Sequence, residues 1–190
     1  MFMTAKEEFI KIYNENIKRE GADKFLQWLE STDFFKCPAS TRFHNNFEGG
    51  LVDHSVKVYH RFKKIVADEK IQVSDESVAI VALLHDVCKA NIYKVDYRNV
   101  KRDGEWVKEP YYTVDDALPY GHGEKSVYII SSFMKLTREE SMAINWHMGP
   151  YDARNANGSY IVSDAFKKFP LSLLMFLADI SSTYLDENIK

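Results

Sequence analysis

Six side chains able to bind a metal ion stand at positions where ordinary packing gives no reason for them. They are His54, the adjacent pair His85 and Asp86, His122, His147 and Asp179. Asp86 closes the run VAIVALLHD that starts at Val78, and Asp179 interrupts LSLLMFLADI, which starts at Leu171. An ionised carboxylate in such apolar surroundings is costly unless a cation or hydrogen bonds offset the lost hydration. Few cationic residues lie beside these two acids, whereas imidazoles recur along the chain, so a bound metal ion is the simplest partner. The chemistry this points to is metal-assisted hydrolysis.

The elements that must position these groups follow from hydrophobic spacing. Residues 4–18 read as an amphipathic helix with Phe9, Ile10, Tyr13 and Ile17 on one side, and a second short helix covers 22–31. Residues 33–50 read as irregular, and Gly49-Gly50 opens a helix over 51–69. Ser74 is an N-cap, with Asp75 and Glu76 in the favourable first turn. The helix after it is apolar on almost every side and must be the central one. Over 92–113 the pattern changes: Tyr93, Val95 and Tyr97 alternate with polar residues, Asp103-Gly104 supplies a hairpin turn, and Pro110 restricts the second strand to an edge. Three further helices fit 122–135, 138–147 and 163–186, with Thr137 and Ser163 as caps. The expected fold is all-α with one inserted β-hairpin. No internal repeat or long linker divides residues 1–190, so one domain is expected.

Bulk composition narrows the function class. At 190 residues the chain is long enough to bury about 70% of its unfolded surface. A hydrophobic share of 45% against 28% charged marks a globular rather than a disordered chain. The net charge of -3 argues against a dedicated duplex nucleic-acid surface. Cys37 and Cys88 form no CxxC pair, so neither a disulfide framework nor a thiolate zinc site is indicated. The N-terminal segment lacks the apolar core of a signal peptide, and the longest apolar run is too short to span a bilayer. A soluble, cytoplasmic protein is expected.

Successive helical residues point about 100° apart, so His85 and Asp86 share a ligand face poorly in mid-helix but can converge on one ion at a helix end. Asn91 and the hairpin signals suggest that the helix finishes just there. The segments GGLVDHS (Gly49–Ser55) and ALLHDVCK (Ala82–Lys89), with the late helical Asp179, resemble the H…HD…D signature of HD-domain metal-dependent phosphohydrolases. The resemblance runs over about residues 47–185. It implies that His54, His85, Asp86 and Asp179 hold one metal ion. His122 in GHGE and His147 in NWHMG look like the extra histidines of the two-metal branch, where Asp86 would bridge two divalent ions. Imidazole and carboxylate ligands suit Zn, Fe, Mn, Co or Ni. GGLVDHS is also similar to the HD domain of some bacterial 3′–5′ exoribonucleases. The OB-type module of those enzymes does not precede it here, so that activity is not expected.

Plainer readings compete at several positions. His122, beside two glycines, could be a loop or cap residue, and His147 a surface residue before the turn at Met148. Lys89 reads either as a phosphate clamp that neutralises transition-state charge or as a solvated helix-end lysine. His60, about 120° round the helix from His54, is expected at the surface. His44 and Arg42, just before the glycine pair, could face the substrate. Tyr93, Tyr97, Arg98 and Trp106 on the hairpin could wall the pocket or simply cover the core.

The expectation is a metal-dependent phosphohydrolase that cleaves a phosphomonoester or phosphodiester of a nucleotide or short oligonucleotide with a metal-bound hydroxide. Asp86 and Lys89 are the catalytic candidates, and Lys89, His44, Arg42 and Arg98 the substrate contacts. The rival is a non-catalytic nucleotide-sensing HD module with a structural metal.

Overall fold

The apolar run that ends at Leu84 forms helix α4 (Asp75–Leu84) in a computed structural model of the chain, which describes residues 3–155 and 160–187. Every residue of α4 from Val78 onward is buried, as a stripe without a polar face requires. Ser74 caps it as expected, accepting from the Ser77 N–H at 3.0 Å. Helix α3 (Gly50–Asp68) lies against α4 and against α8 (Pro170–Ser181), and α1 (Ala5–Asn16) covers α3 and α4. Helix α6 (Arg138–Asn145) bridges α4, α5 (His122–Ser131) and α8, while α7 (Ile161–Lys168) packs on α8. Helix α2 (Ala22–Ser31) closes the base through Phe25, edge-on to Phe133 at 5.4 Å. One cluster of buried side chains runs from Phe9 and Phe25 through Leu51 and Leu83 to Met175.

Strands β1 (Tyr93–Arg102) and β2 (Glu105–Val114) form an antiparallel ribbon, joined through Asp103 and Gly104 at φ 51° and 91°. Positive φ at both loop residues is what a two-residue hairpin requires, and Asp-Gly accepts it readily. Pro110 faces Tyr97 in a sheet of two strands, where both are edges.

The helix expected over 163–186 is two helices followed by a π-helical turn at Ser182–Asp186. Pro170 is the cause. It has no N–H to continue α7, and it holds Phe169 at φ −134°, ψ 78°, outside the helical region. Ser163 therefore lies inside α7 rather than capping it, and Tyr160 takes the N-cap position without a side-chain hydrogen bond. Helices α5 and α6 also stop short of their expected ends, at Ser131 and Asn145.

Two glycines set distances that matter for the site. A Cβ on Gly50 would lie 2.0 Å from the Asn45 carbonyl oxygen, and one on Gly123 would lie 2.3 Å from that of Asn145. Only glycine permits these approaches. The second brings the start of α5 against the end of α6, and so His122 beside His147.

Outside the candidate ligand set, Glu140 on α6 ties α4 to the connection between α1 and α2. It is fully buried, accepts both guanidinium nitrogens of Arg19 at 2.8 Å and the Ser77 hydroxyl at 2.7 Å, and closes a capping box with Thr137. Burial raises its pKa, but Arg19, Ser77 and Thr137 outweigh that and lower it. We expect Glu140→Ala to cost about 2–4 kcal/mol in denaturant unfolding, since it strands Arg19. Because the folded-state pKa is depressed, the wild-type contribution is full above the ordinary glutamate range and fades as pH falls towards the lower folded value.

Candidate metal centre

Each candidate ligand sits where its own element ends or turns inward. His85 is the last residue with helical geometry after α4, and at Asp86 the backbone leaves the helix (φ −104°, ψ 16°) for a short 3₁₀ turn over Val87–Lys89. That exit lets two consecutive side chains converge, as the sequence suggested. His54 projects from the second turn of α3, His122 opens α5, His147 follows α6, and Asp179 comes from the last turns of α8.

Three imidazoles are oriented by the same device. His85 Nδ1 donates to the Ala82 carbonyl at 2.8 Å, and His147 Nδ1 to the Ile144 carbonyl at 2.6 Å. Each ring folds back onto a carbonyl left free at the end of its own helix. His54 Nδ1 donates instead to Glu187 Oε1 at 2.6 Å. Each Nε2 thereby turns inward, where it could offer its lone pair to an ion, the arrangement second-shell partners give to ligating histidines.

The inward atoms meet around Asp86. Its Oδ2 lies 3.6 Å from His54 Nε2 and 3.5 Å from His85 Nε2, while its Oδ1 lies 2.7 Å from His122 Nε2 and 3.5 Å from His147 Nε2. Asp179 Oδ1 is 3.3 Å from His54 Nε2, and the Nε2 atoms of His54 and His85 are 3.2 Å apart. His54, His85 and His147 are fully buried, and Asp86 nearly so. Among the described residues His147 Nε2 has no hydrogen-bond partner. A buried imidazole nitrogen left without a partner 3.5 Å from a carboxylate oxygen is what a cation between them would resolve. The donor set therefore fits a divalent transition metal.

The electrostatics are those of a crowded acceptor cluster. Burial opposes ionisation of Asp86, but Lys89, His85, His122 and His147 hold its carboxyl well below the usual range. Burial would lower the His54 pKa, yet hydrogen bonds with Asp179 and Glu187 raise it to about 9. Burial also opposes the charged form of Asp179, whose pKa is nonetheless drawn down to about 2 by His54. His147 is the exception: burial dominates and its pKa falls.

Lys89 donates to Asp86 Oδ2 at 2.7 Å with only 13% of its side chain exposed. The solvated helix-end reading is thereby removed. The expected surface position of His60 holds, since its side chain is more than half exposed and pairs with Glu8.

The cluster floors a cavity of about 530 Å³ that also takes in His44, Lys89 and Tyr93. Arg42 and Arg98 are not brought to it. They line a neighbouring groove of about 500 Å³ with Tyr111 and Tyr112, which shares only Thr41 with the cavity, and Arg98 pairs there with Glu109 at 3.1 Å. Tyr97 and Trp106 are largely exposed and line neither. A larger groove of about 1040 Å³ beside Arg19 and Lys135 contains none of the candidate metal-ligating groups.

Two participants carry no signal in the sequence. Glu187 bonds both His54 and His44 Nδ1 (2.5 Å) and accepts from the Ser182 hydroxyl at 3.1 Å, although it lies beyond α8 in a polar stretch. Cys88 Sγ sits 3.5 Å from His122 Nδ1, a contact that exists only because the 3₁₀ turn redirects the chain. We expect Glu187→Gln to weaken metal affinity about 10–100-fold, measured by competition with a chromogenic chelator. An unchanged affinity would remove Glu187 from the site.

A family model described as HD domain matches residues 51–183, from the first turn of α3 to the π-helical turn after α8. No curated protein and no solved structure matches the chain.

Proposed function

The chain belongs to the HD domain family, a superfamily of metal-dependent hydrolase type, and from that premise we propose that it hydrolyses a phosphomonoester or phosphodiester of a nucleotide or short oligonucleotide. We also take residues 1–190 as one catalytic unit, because α1 and α2 share the buried cluster of the motif-bearing helices. A cytoplasmic location is part of the same reading; among the described residues no helix is long and apolar enough to cross a membrane.

The observation that carries the reading is the division of Asp86, whose two oxygens face two different sets of imidazoles. His54, His85, Asp86 and Asp179 would hold one ion, and His122 and His147 a second that shares Asp86. When bound, such a pair supplies an activated water and Lewis acidity toward phosphoryl oxygens. The chain does the rest. The backbone carbonyls of Ala82 and Ile144 fix the tautomers of His85 and His147. Lys89, the one lysine or arginine lining the cavity among the described residues, sets an ammonium where negative charge grows. One side remains open, with His122 a third exposed and Asp179 at 16%, so water and substrate reach the floor.

A sensor with a structural metal needs neither the open side nor a buried lysine facing it. The test is elemental analysis together with turnover of one generic phosphodiester and one generic phosphomonoester. Metal without turnover of either favours the sensor. For the second ion, His147→Ala is expected to lower metal content from about two per chain towards one. One metal per chain in the wild type reduces the proposal to a mononuclear site.

A further inference from the structure

The floor of the cavity is polar, but its rim is not. Phe43, Tyr151 and Tyr184 line it with 70%, 67% and 61% of their surface exposed, and Phe176 and Ile180 join them half-buried. Scattered exposed apolar residues are ordinary, whereas large rings gathered at the mouth of one cavity are not. They come from three separate segments: the loop before α3 beside His44, the 3₁₀ turn after His147, and the stretch from α8 into the π-helical turn on either side of Asp179. Phe43 and Tyr184 have no ring partner among the described residues, although Tyr151 approaches Phe176 at 6.5 Å. The Phe43 loop is held in place, because the Ser40 hydroxyl accepts from the Phe43 N–H at 2.9 Å and donates to the His44 carbonyl at 2.8 Å. Beyond Lys89, already engaged with Asp86, the rim offers no lysine or arginine to further phosphates among the described residues.

We propose that Phe43 and Tyr184 determine specificity by stacking on an aromatic ring carried by the substrate, so that nucleoside and aryl phosphate esters are selected over sugar and alkyl esters. This rests on the phosphohydrolase reading for its turnover but not for its binding. The cavity, at about 530 Å³, is within the range of small-molecule sites, about 300–1,000 Å³. Aromatic faces recognise a base without hydrogen-bond readout, so the device prefers the ring over its absence more than one base over another.

The binding arm titrates the metal-loaded protein with phenylphosphonate and methylphosphonate, which share a headgroup and are not hydrolysed. Phenylphosphonate is expected to bind about 5- to 150-fold tighter, the scale of one stacked ring. Phe43→Ala and Tyr184→Ala should each shrink that ratio, and both sites are exposed enough that folding is not at stake. Equal affinities in the wild type, binding of neither compound, or an undiminished ratio in both variants overturns the inference. The kinetic arm compares kcat/KM for AMP and ribose 5-phosphate, with the same ordering expected. Failure of turnover with every ester sinks the hydrolase reading, and the phosphonate titration still decides the rim.

Discussion

Asp86→Asn is expected to abolish hydrolysis, a loss of at least about 10³-fold in kcat/KM, and to strip the protein of most of its metal. The change keeps the volume of the side chain and a hydrogen-bond acceptor for Lys89, but removes the charge that both imidazole sets face. Asp86→Ala should do the same to activity and also lower stability, because it leaves the Lys89 ammonium, 13% exposed, without its 2.7 Å partner. The readouts separate chemistry from folding. In the wild type, chelation should lower Tm, because metal that binds only the folded state stabilises it. In Asp86→Asn that sensitivity should be largely gone, since little metal remains to remove. An Asp86→Asn protein with full metal content and wild-type turnover would end the two-ion scheme.

The legible part of this protein was what local chemistry determines. Ser74 and Thr137 cap α4 and α6 because hydroxyl caps need no tertiary partner, and Asp103-Gly104 makes its turn because the backbone preference is intrinsic. The HD pair reads as a helix end for the same reason. What failed to show in the sequence was set by tertiary paths. The break at Pro170 is written in the chain, yet apolar periodicity on both sides masks it, and Ser163 reads as a cap although α7 already begins at Ile161. Glu187 reaches His54 because the chain leaves α8 through a π-helical turn, which no periodicity announces. Arg42 and Arg98 sit near the site in the sequence pattern, but the hairpin register pairs Arg98 with Glu109, and both arginines line the adjoining groove. The six ligand candidates, in contrast, come together, since a buried carboxylate must find compensating partners wherever the chain runs.

Lys89→Ala is expected to lower kcat/KM for phosphoester hydrolysis by about 10²–10³, the scale for losing one preorganised donor aimed at developing charge. The structure sharpens what else must happen. Burial opposes the charge on Lys89, but Asp86 more than restores it and raises its pKa, so the ammonium is a fixed positive charge across the physiological range. In the metal-loaded protein the ions balance Asp86, and removing Lys89 should leave metal content and Tm nearly unchanged. After chelation the same variant should melt below the chelated wild type, because Asp86 then keeps only imidazoles as partners. Lys89→Arg should recover stability more fully than rate, as a guanidinium restores the charge but not the compact ammonium geometry. This split is the discriminating result. A lysine that served only to neutralise Asp86 would affect the metal-free melting temperature and leave turnover of the loaded enzyme intact, whereas a phosphate clamp affects turnover in the loaded enzyme first. Wild-type kcat/KM from loaded Lys89→Ala would therefore leave the metal site as the sole source of catalysis and make Lys89 a charge partner of the empty fold.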